Sequence, residues 1–209
     1  MNFKKLHFLI IFLILLNYNN CWGFAHEPGS LNNYYFELGL NPENFTRDQC
    51  VNYGKSIISL KQKNLTEAER LLQQNFKNKN TYVSNLLGVI YSMKKEENIA
   101  EIFFMESIKL KNDNLDPYLN AGMIFHYHKN WKKLEILSIK LLKNAPESGD
   151  ALLGLGMVYY HNRKFKEAAG LLTTCRDIMK SNGNPRIEIV REYMQRVNST
   201  RRRFFRIKH

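Results

Sequence analysis

The sequence lacks most of what would mark it as an enzyme. It contains no GxGxxG, no P-loop, no HExxH, no CxxC and no GxSxG, so no nucleotide, zinc or acyl-transfer site is announced. No catalytic residue, cofactor or metal is therefore expected. Cysteine is scarce too: 3 Cys in 209 residues cannot build a disulfide scaffold. Acid is short of base, 19 Asp+Glu against 31 Lys+Arg, for a formal net charge of +12. That balance admits nucleic acid or an anionic membrane as partner, or charge merely scattered. At 44% hydrophobic the chain is not a disordered one. Its length suits one ordinary domain or two very small ones.

Long apolar runs are also absent, with one exception. Lys4 and Lys5 precede Leu6 to Leu16, broken only by His7. Asn17, Asn19 and Asn20 follow, and then Gly23-Phe24-Ala25 puts small residues at −3 and −1 before His26. This order describes a secretory signal peptide over residues 1–25, with a lead-in segment over 26–46. The run is well short of the roughly 20 residues that span a bilayer. Two alternatives stay open: an uncleaved anchor extended by Tyr18, Trp22 and Phe24, and lipidation at Cys21. Export is the expectation, to a bacterial periplasm or cell envelope, or to the secretory pathway of a eukaryote. In a eukaryotic host Asn44, Asn64 and Asn198 head glycosylation triplets.

What the chain does have is a period. Gly54, Gly88, Gly122 and Gly156 are 34 residues apart. Three residues after them stand Ile57, Tyr91, Phe125 and Tyr159, and one before stand Tyr53, Leu87, Ala121 and Leu155. Asp48, Asp116, Asp150 and Asn184 keep the same register, six residues before the glycine position. Val83, Leu87, Ile90 and Tyr91 share a helical face, as do Tyr118, Ala121, Ile124 and Phe125. Asp116-Pro117 and Asn184-Pro185 predict an N-cap followed by proline in the first turn. Polar turns then lead into second apolar helices from Ile99, Leu134 and Phe165.

With the glycine counted as position 8, the chain resembles the tetratricopeptide repeat family, whose unit is a 34-residue helix–turn–helix. The resemblance rests on Leu87-Gly88-x-x-Tyr91 with Ala100 and Phe104. The next unit has Tyr118, Ala121-Gly122-x-x-Phe125, Trp131 and Pro146, and the third has Leu152, Leu155-Gly156-x-x-Tyr159, Phe165, Ala168 and Leu172. Leu134 and Ser138 depart from the small and aromatic residues of the pattern, and Asn112 and Lys180 from its proline. The resemblance implies an all-α, right-handed solenoid of antiparallel helix pairs. Clear repeats fall at 81–114, 115–148 and 149–182, with a divergent one at 47–80. In that one Ala68 and Leu72 sit two residues late, which a longer inner turn would absorb. Residues 183–198 read as a capping helix. Position 8 glycine and a small residue at position 20 should let paired helices approach closely.

In this family ligands lie against the inner face of the first helices. Carried over by position, the candidate partner-binding residues are Asn85, Val89 and Met93, then Leu119, Met123, His126 and Tyr127, then Leu153, Met157, Tyr160 and His161. The set is apolar and aromatic, without the basic clamp that holds acidic chaperone tails. It implies an apolar segment or amphipathic helix of a protein partner. The competing expectation is that the capping helix itself fills the groove. Cys50 and Cys175 read as buried apolar residues in distant repeats. His126 and His128 point about 200° apart on a helix and do not suit one metal.

Within a basic tail over 199–209, the last nine residues, 201–209, concentrate Arg201, Arg202, Arg203, Arg206 and Lys208 around Phe204, Phe205 and Ile207. An anionic membrane surface or polyanion is the expected target, and nucleic acid is disfavoured for an exported chain. The signal segment holds two charges of the net +12 and these nine residues five, which leaves +5 for the body.

Overall fold

A computed structural model of the chain describes residues 46–75, 80–111 and 113–207. The expected signal peptide and nearly all of the lead-in lie outside them, as do Cys21, Lys208 and Phe76. The described residues form nine α-helices and no strand. Two compact units divide after Lys94.

The first unit holds α1 (Arg47–Lys61), α2 (Leu65–Asn75) and α3 (Thr81–Met93). Thr46 opens α1 through a capping box. Its hydroxyl accepts from the Gln49 N–H at 3.3 Å and the Gln49 side chain accepts from the Thr46 N–H at 2.8 Å. Asn64 Oδ1 accepts from the Glu67 N–H at the start of α2, and Asn80 Oδ1 from the Tyr82 N–H at the start of α3. Tyr53, Ile57, Leu60, Ala68, Leu72, Val83 and Ile90 are buried. The turn between α1 and α2 is three residues long, like the later inner turns. The two-residue delay of the second helix therefore comes from a longer α1 and not from a longer turn, contrary to the expectation from sequence. Helical growth explains it, since each added residue gains one backbone hydrogen bond while a longer turn gains none.

The second unit holds α4 (Glu97–Leu110), α5 (Asp116–Tyr127), α6 (Trp131–Asn144), α7 (Gly149–His161), α8 (Phe165–Ser181) and α9 (Ile187–Ile207). Each packs on the next in chain order, and α9 also touches α7. Phe104, Tyr118, Ala121, Phe125, Leu141, Val158, Ala168, Leu172 and Met179 fill the core. Cys175 is fully buried and donates to the Gly149 carbonyl at 3.0 Å. Burial pushes its thiol up to about 12, so it is a packing residue and not a nucleophile. The Cys50 side chain lies outside the described set.

Two sequence departures explain each other. Leu134 replaces the small residue of position 20 and Ser138 the aromatic of position 24. A Cβ at Gly154 would stand 2.3 Å from Ser138 Oγ and 3.6 Å from Leu134 Cδ1. The bulk added at Leu134 and the bulk lost at Ser138 are both accommodated by this extra glycine on α7.

Asp116 is not a cap. It is the first residue of α5, and the Asn114 side chain accepts from its N–H at 3.2 Å. Ser148 plays that part for α7, accepting from the Ala151 N–H. The aspartates of the 34-residue row instead occupy the first turns, where the helix dipole favours negative charge. Asp150 also meets Arg186 at 3.1 Å. Burial pushes its carboxyl up and Arg186 opposes that. Asn184 accepts from the Arg186 N–H at 2.9 Å in a turn ahead of α9, which begins only at Ile187, so the expected cap and first-turn proline lie outside that helix.

The inner turns repeat one geometry that composition hides. Lys63, Lys95, Lys129 and Arg163 all have positive φ, from 55° to 65°. At α5 the Asn130 N–H returns to the Phe125 carbonyl at 2.7 Å, and at α7 the Lys164 N–H to that of Tyr159 at 2.9 Å. This is the Schellman closure, usually made with glycine. Gly183 supplies it after α8. A side chain in that conformation costs about 1 kcal/mol. Lys129→Gly should therefore raise the urea midpoint, stabilising by up to about 1 kcal/mol, and Gly183→Ala should lower it by a similar amount.

Candidate functional site

In the second unit the inner residues of α5 and α7 meet α9. Val190, Tyr193 and Val197 lie along one face of α9 and are buried, spaced three and four residues apart as a packed helix requires. Tyr193 is the centre of the contact. Its hydroxyl and His126 Nε2 on α5 are 2.8 Å apart, a hydrogen bond that either group can donate. Its ring stands edge-on to Tyr160 of α7, centroids 5.8 Å apart. Arg196, one turn on, places its guanidinium 5.1 Å from the centre of the Tyr193 ring and pairs with Glu192 at 2.5 Å. Burial pushes the Tyr193 phenol up to about 12.

Three further rings complete the cluster. Trp131, at the start of α6, stacks on His161 at 3.8 Å and meets the edge of His126 at 5.7 Å. Tyr160 also touches Phe165. Burial lowers the pKa of His126, helped by His161 and Arg196. Partial burial lowers that of His161, helped by Arg196 and Lys129. Both imidazoles are thus biased toward the neutral form, with the Arg196 guanidinium contributing.

The sign of the resulting pH dependence follows. A folded state whose histidines bind protons less readily than the unfolded chain loses stability as pH falls. The contribution is complete above the unfolded value near 6.5 and is lost as pH drops below it toward the depressed folded values. Asp150, raised by burial, acts in the opposite sense at lower pH. The urea midpoint should fall between neutral pH and mildly acidic pH, and His126→Gln should flatten that slope. An unchanged slope would remove His126 as its origin.

The structure distributes the candidate residues unevenly. Asn85 and Val89 on α3 are buried and Met93 is half-buried, all in the first unit. In the second unit Leu153 and Met157 are buried, so neither presents an open surface. Leu119, Met123, His126 and Tyr160 are half-buried, and His161 keeps exposed surface. Tyr127 is 57% exposed. The expected open row is thus open in part, and α9 occupies part of the rest. Sequence reasoning did not assign Tyr193 and Arg196 to this face. The 190–193–197 stripe was legible, but the face it would cover was not.

At the other end of α9, Arg201, Arg202 and Arg203 are exposed, and the helix runs unbroken to Ile207 with Arg206 in it. The capping helix and most of the basic tail are therefore one helix.

No protein-family model and no curated protein sequence matches the chain. Solved structures do. A tetratricopeptide repeat protein from Parabacteroides merdae superposes with a TM-score of 0.61 at 17% identity, over 74% of this chain and 62% of its own. MamA from Desulfovibrio magneticus RS-1, residues 41 to its end, gives 0.55 at 16% identity, over 75% and 97%. YrrB, described as a TPR protein with an unusual peptide-binding site, gives 0.53 at 14% identity, over 73% and 79%. The fold is that of the tetratricopeptide repeat proteins.

Proposed function

We propose that this tetratricopeptide-type fold is a non-enzymatic protein-interaction scaffold. Its inner helix faces would receive an apolar segment or amphipathic helix of a partner protein. The observation that carries the reading is the seat of α9. The face formed by His126, Tyr160 and their neighbours already receives the apolar stripe of one amphipathic helix, which is the chemistry of helix-in-groove recognition. Leu119, Met123 and Tyr127 keep surface beside it. Adaptable methionine and rigid tyrosine suit such a site. YrrB, similar in fold, is described as carrying a peptide-binding site.

Photo-crosslinkers placed in living cells at Tyr127 and, as an outer control, at Thr173 test this. A defined partner should crosslink at Tyr127 and disappear in Leu119→Asp/Met123→Asp at unchanged thermal midpoint. A partner captured only at Thr173 would refute it. We also propose export to the cell envelope, on the order of parts from Lys4 to Ala25. Mature protein beginning at His26 would support that; protein retained in the cytosol with Met1 intact would exclude it.

A second reading keeps the basic end of α9 as an anionic-surface contact. It is favoured by the continuous helix and by the absence of acid after Glu192. Deleting 201–209 should then weaken binding to anionic vesicles at low salt.

A further inference from the structure

The outward faces of α4 and α6 carry a patch that neither reading uses. Ile102 is 66% exposed and Ile136 is 59% exposed, and Met105 and Ile139 are exposed beside them. These are the same two positions of successive repeats, 34 residues apart. The 2.5 Å pair between Lys133 and Glu101 holds the two helices side by side. In the following repeat the same positions are Gly170 and Thr173, so the stripe ends there. One exposed isoleucine needs no explanation, but four apolar side chains in register on adjacent helices form a patch.

The exposed charge around it is mainly basic. Lys132, Ile136, Ile139 and Lys143 follow one helical row, and Lys140 lies beside them; all are exposed. Lys109 is exposed at the end of α4. Of the nearby acids, Glu101 is taken by Lys133, and Glu106 and Glu135 are half-buried, so the exposed lysines outnumber them.

We propose that this face of α4 and α6 docks on an anionic lipid surface. The isoleucines would enter the headgroup boundary, and the lysines would lay their stems along it and meet the phosphates. Shape and charge together favour lipid over a partner helix. A bilayer accepts a raised row of side chains, whereas a helix needs a groove to receive it. Among the described residues no helix is long and apolar enough to cross a membrane, so the contact is peripheral. It is independent of the arginines at the end of α9.

Sedimentation of the full chain with phosphatidylcholine vesicles, with and without phosphatidylglycerol, tests the proposal. The apolar run Leu6 to Leu16 is common to every variant, so the readout is the excess binding to anionic vesicles. Two triple variants are compared with the parent: Lys132→Glu/Lys140→Glu/Lys143→Glu and Ile102→Ser/Ile136→Ser/Ile139→Ser. Each should lower the excess by at least about tenfold at unchanged helical circular dichroism. Arg201→Gln/Arg202→Gln/Arg203→Gln should leave most of it. No excess in the parent, or an excess lost only in the arginine variant, overturns the proposal. So does a parent dimer that the isoleucine variant dissociates without any lipid effect, which would assign the face to a second copy of the chain.

Discussion

Tyr193→Ala should destabilise the second unit by about 3–5 kcal/mol, the range for truncating a large buried aromatic. The residue is only 4% exposed and joins three helices: its own α9, α5 through His126 and α7 through Tyr160. Removing the ring leaves a cavity, strands a half-buried imidazole without its partner and takes the stacking surface from Arg196. Stacked repeats couple mainly to their neighbours, so the loss should be local. Amide exchange should accelerate first in α9 and then in α7 and α8, with α4 little affected. Tyr193→Phe separates the contributions. It keeps the ring and loses only the hydrogen bond, at about 1 kcal/mol. If α9 plugs a binding face, the alanine variant should also bind partner more tightly while being less stable. A stable alanine variant with unchanged exchange in α9 would show that the helix is not held there.

Gly156→Ala should destabilise by about 1–3 kcal/mol, while Gly122→Ala should be neutral or stabilise by up to about 1 kcal/mol. Both glycines hold position 8 of a repeat, and nothing in the sequence separates them. A Cβ at Gly156 would lie 2.7 Å from Leu172 Cδ2 and 2.8 Å from its Cγ, closer than real contacts allow. Cγ is not the free end of the side chain, so the leucine must move as a whole inside a filled core. At Gly122 the nearest atoms are Leu134 Cδ1 at 3.6 Å and Leu137 Cδ2 at 3.7 Å, an ordinary contact. There alanine gains helix propensity at no steric cost. Urea titration of both variants decides it. Leu172→Ala should lessen the penalty of Gly156→Ala, because the two then share one space. Equal costs at the two glycines would mean that the packing difference is not real.

These glycines show where reading the chain succeeds and stops. Close approach at position 8 holds for Gly156, which lies against Leu172, and fails for Gly122, which meets Leu134 and Leu137 only at ordinary distances. The departures at Leu134 and Ser138 are matched by Gly154 on the neighbouring helix. Asp116 looked like a cap by type and neighbour, yet Asn114 makes the hydrogen bond. The two-residue delay in the first repeat came from a longer first helix, whose end periodicity could not place. In each case the deciding partner lies across a helix contact or a residue or two away in the local geometry.

The inner row shows the same limit. Tyr127 is open, Leu153 and Met157 are buried, and His126 is engaged by Tyr193, though all were assigned by one positional rule. On the outer side, Ile102 and Ile136 read as ordinary members of apolar second helices and prove to be exposed. Periodicity tells which residues share a helix face. It does not tell whether another face comes to cover it.

The repeat is legible in the chain alone. The 34-residue spacing, the glycine and aromatic positions and the polar turns act within a helix or between neighbours in the chain, where local geometry suffices to place them. How the faces are used is set by packing between helices. The capping helix turned its Tyr193 into the inner surface, and the isoleucines of α4 and α6 were left facing water. That choice depends on side chains distant in sequence competing to bury apolar area, and no local pattern records the outcome.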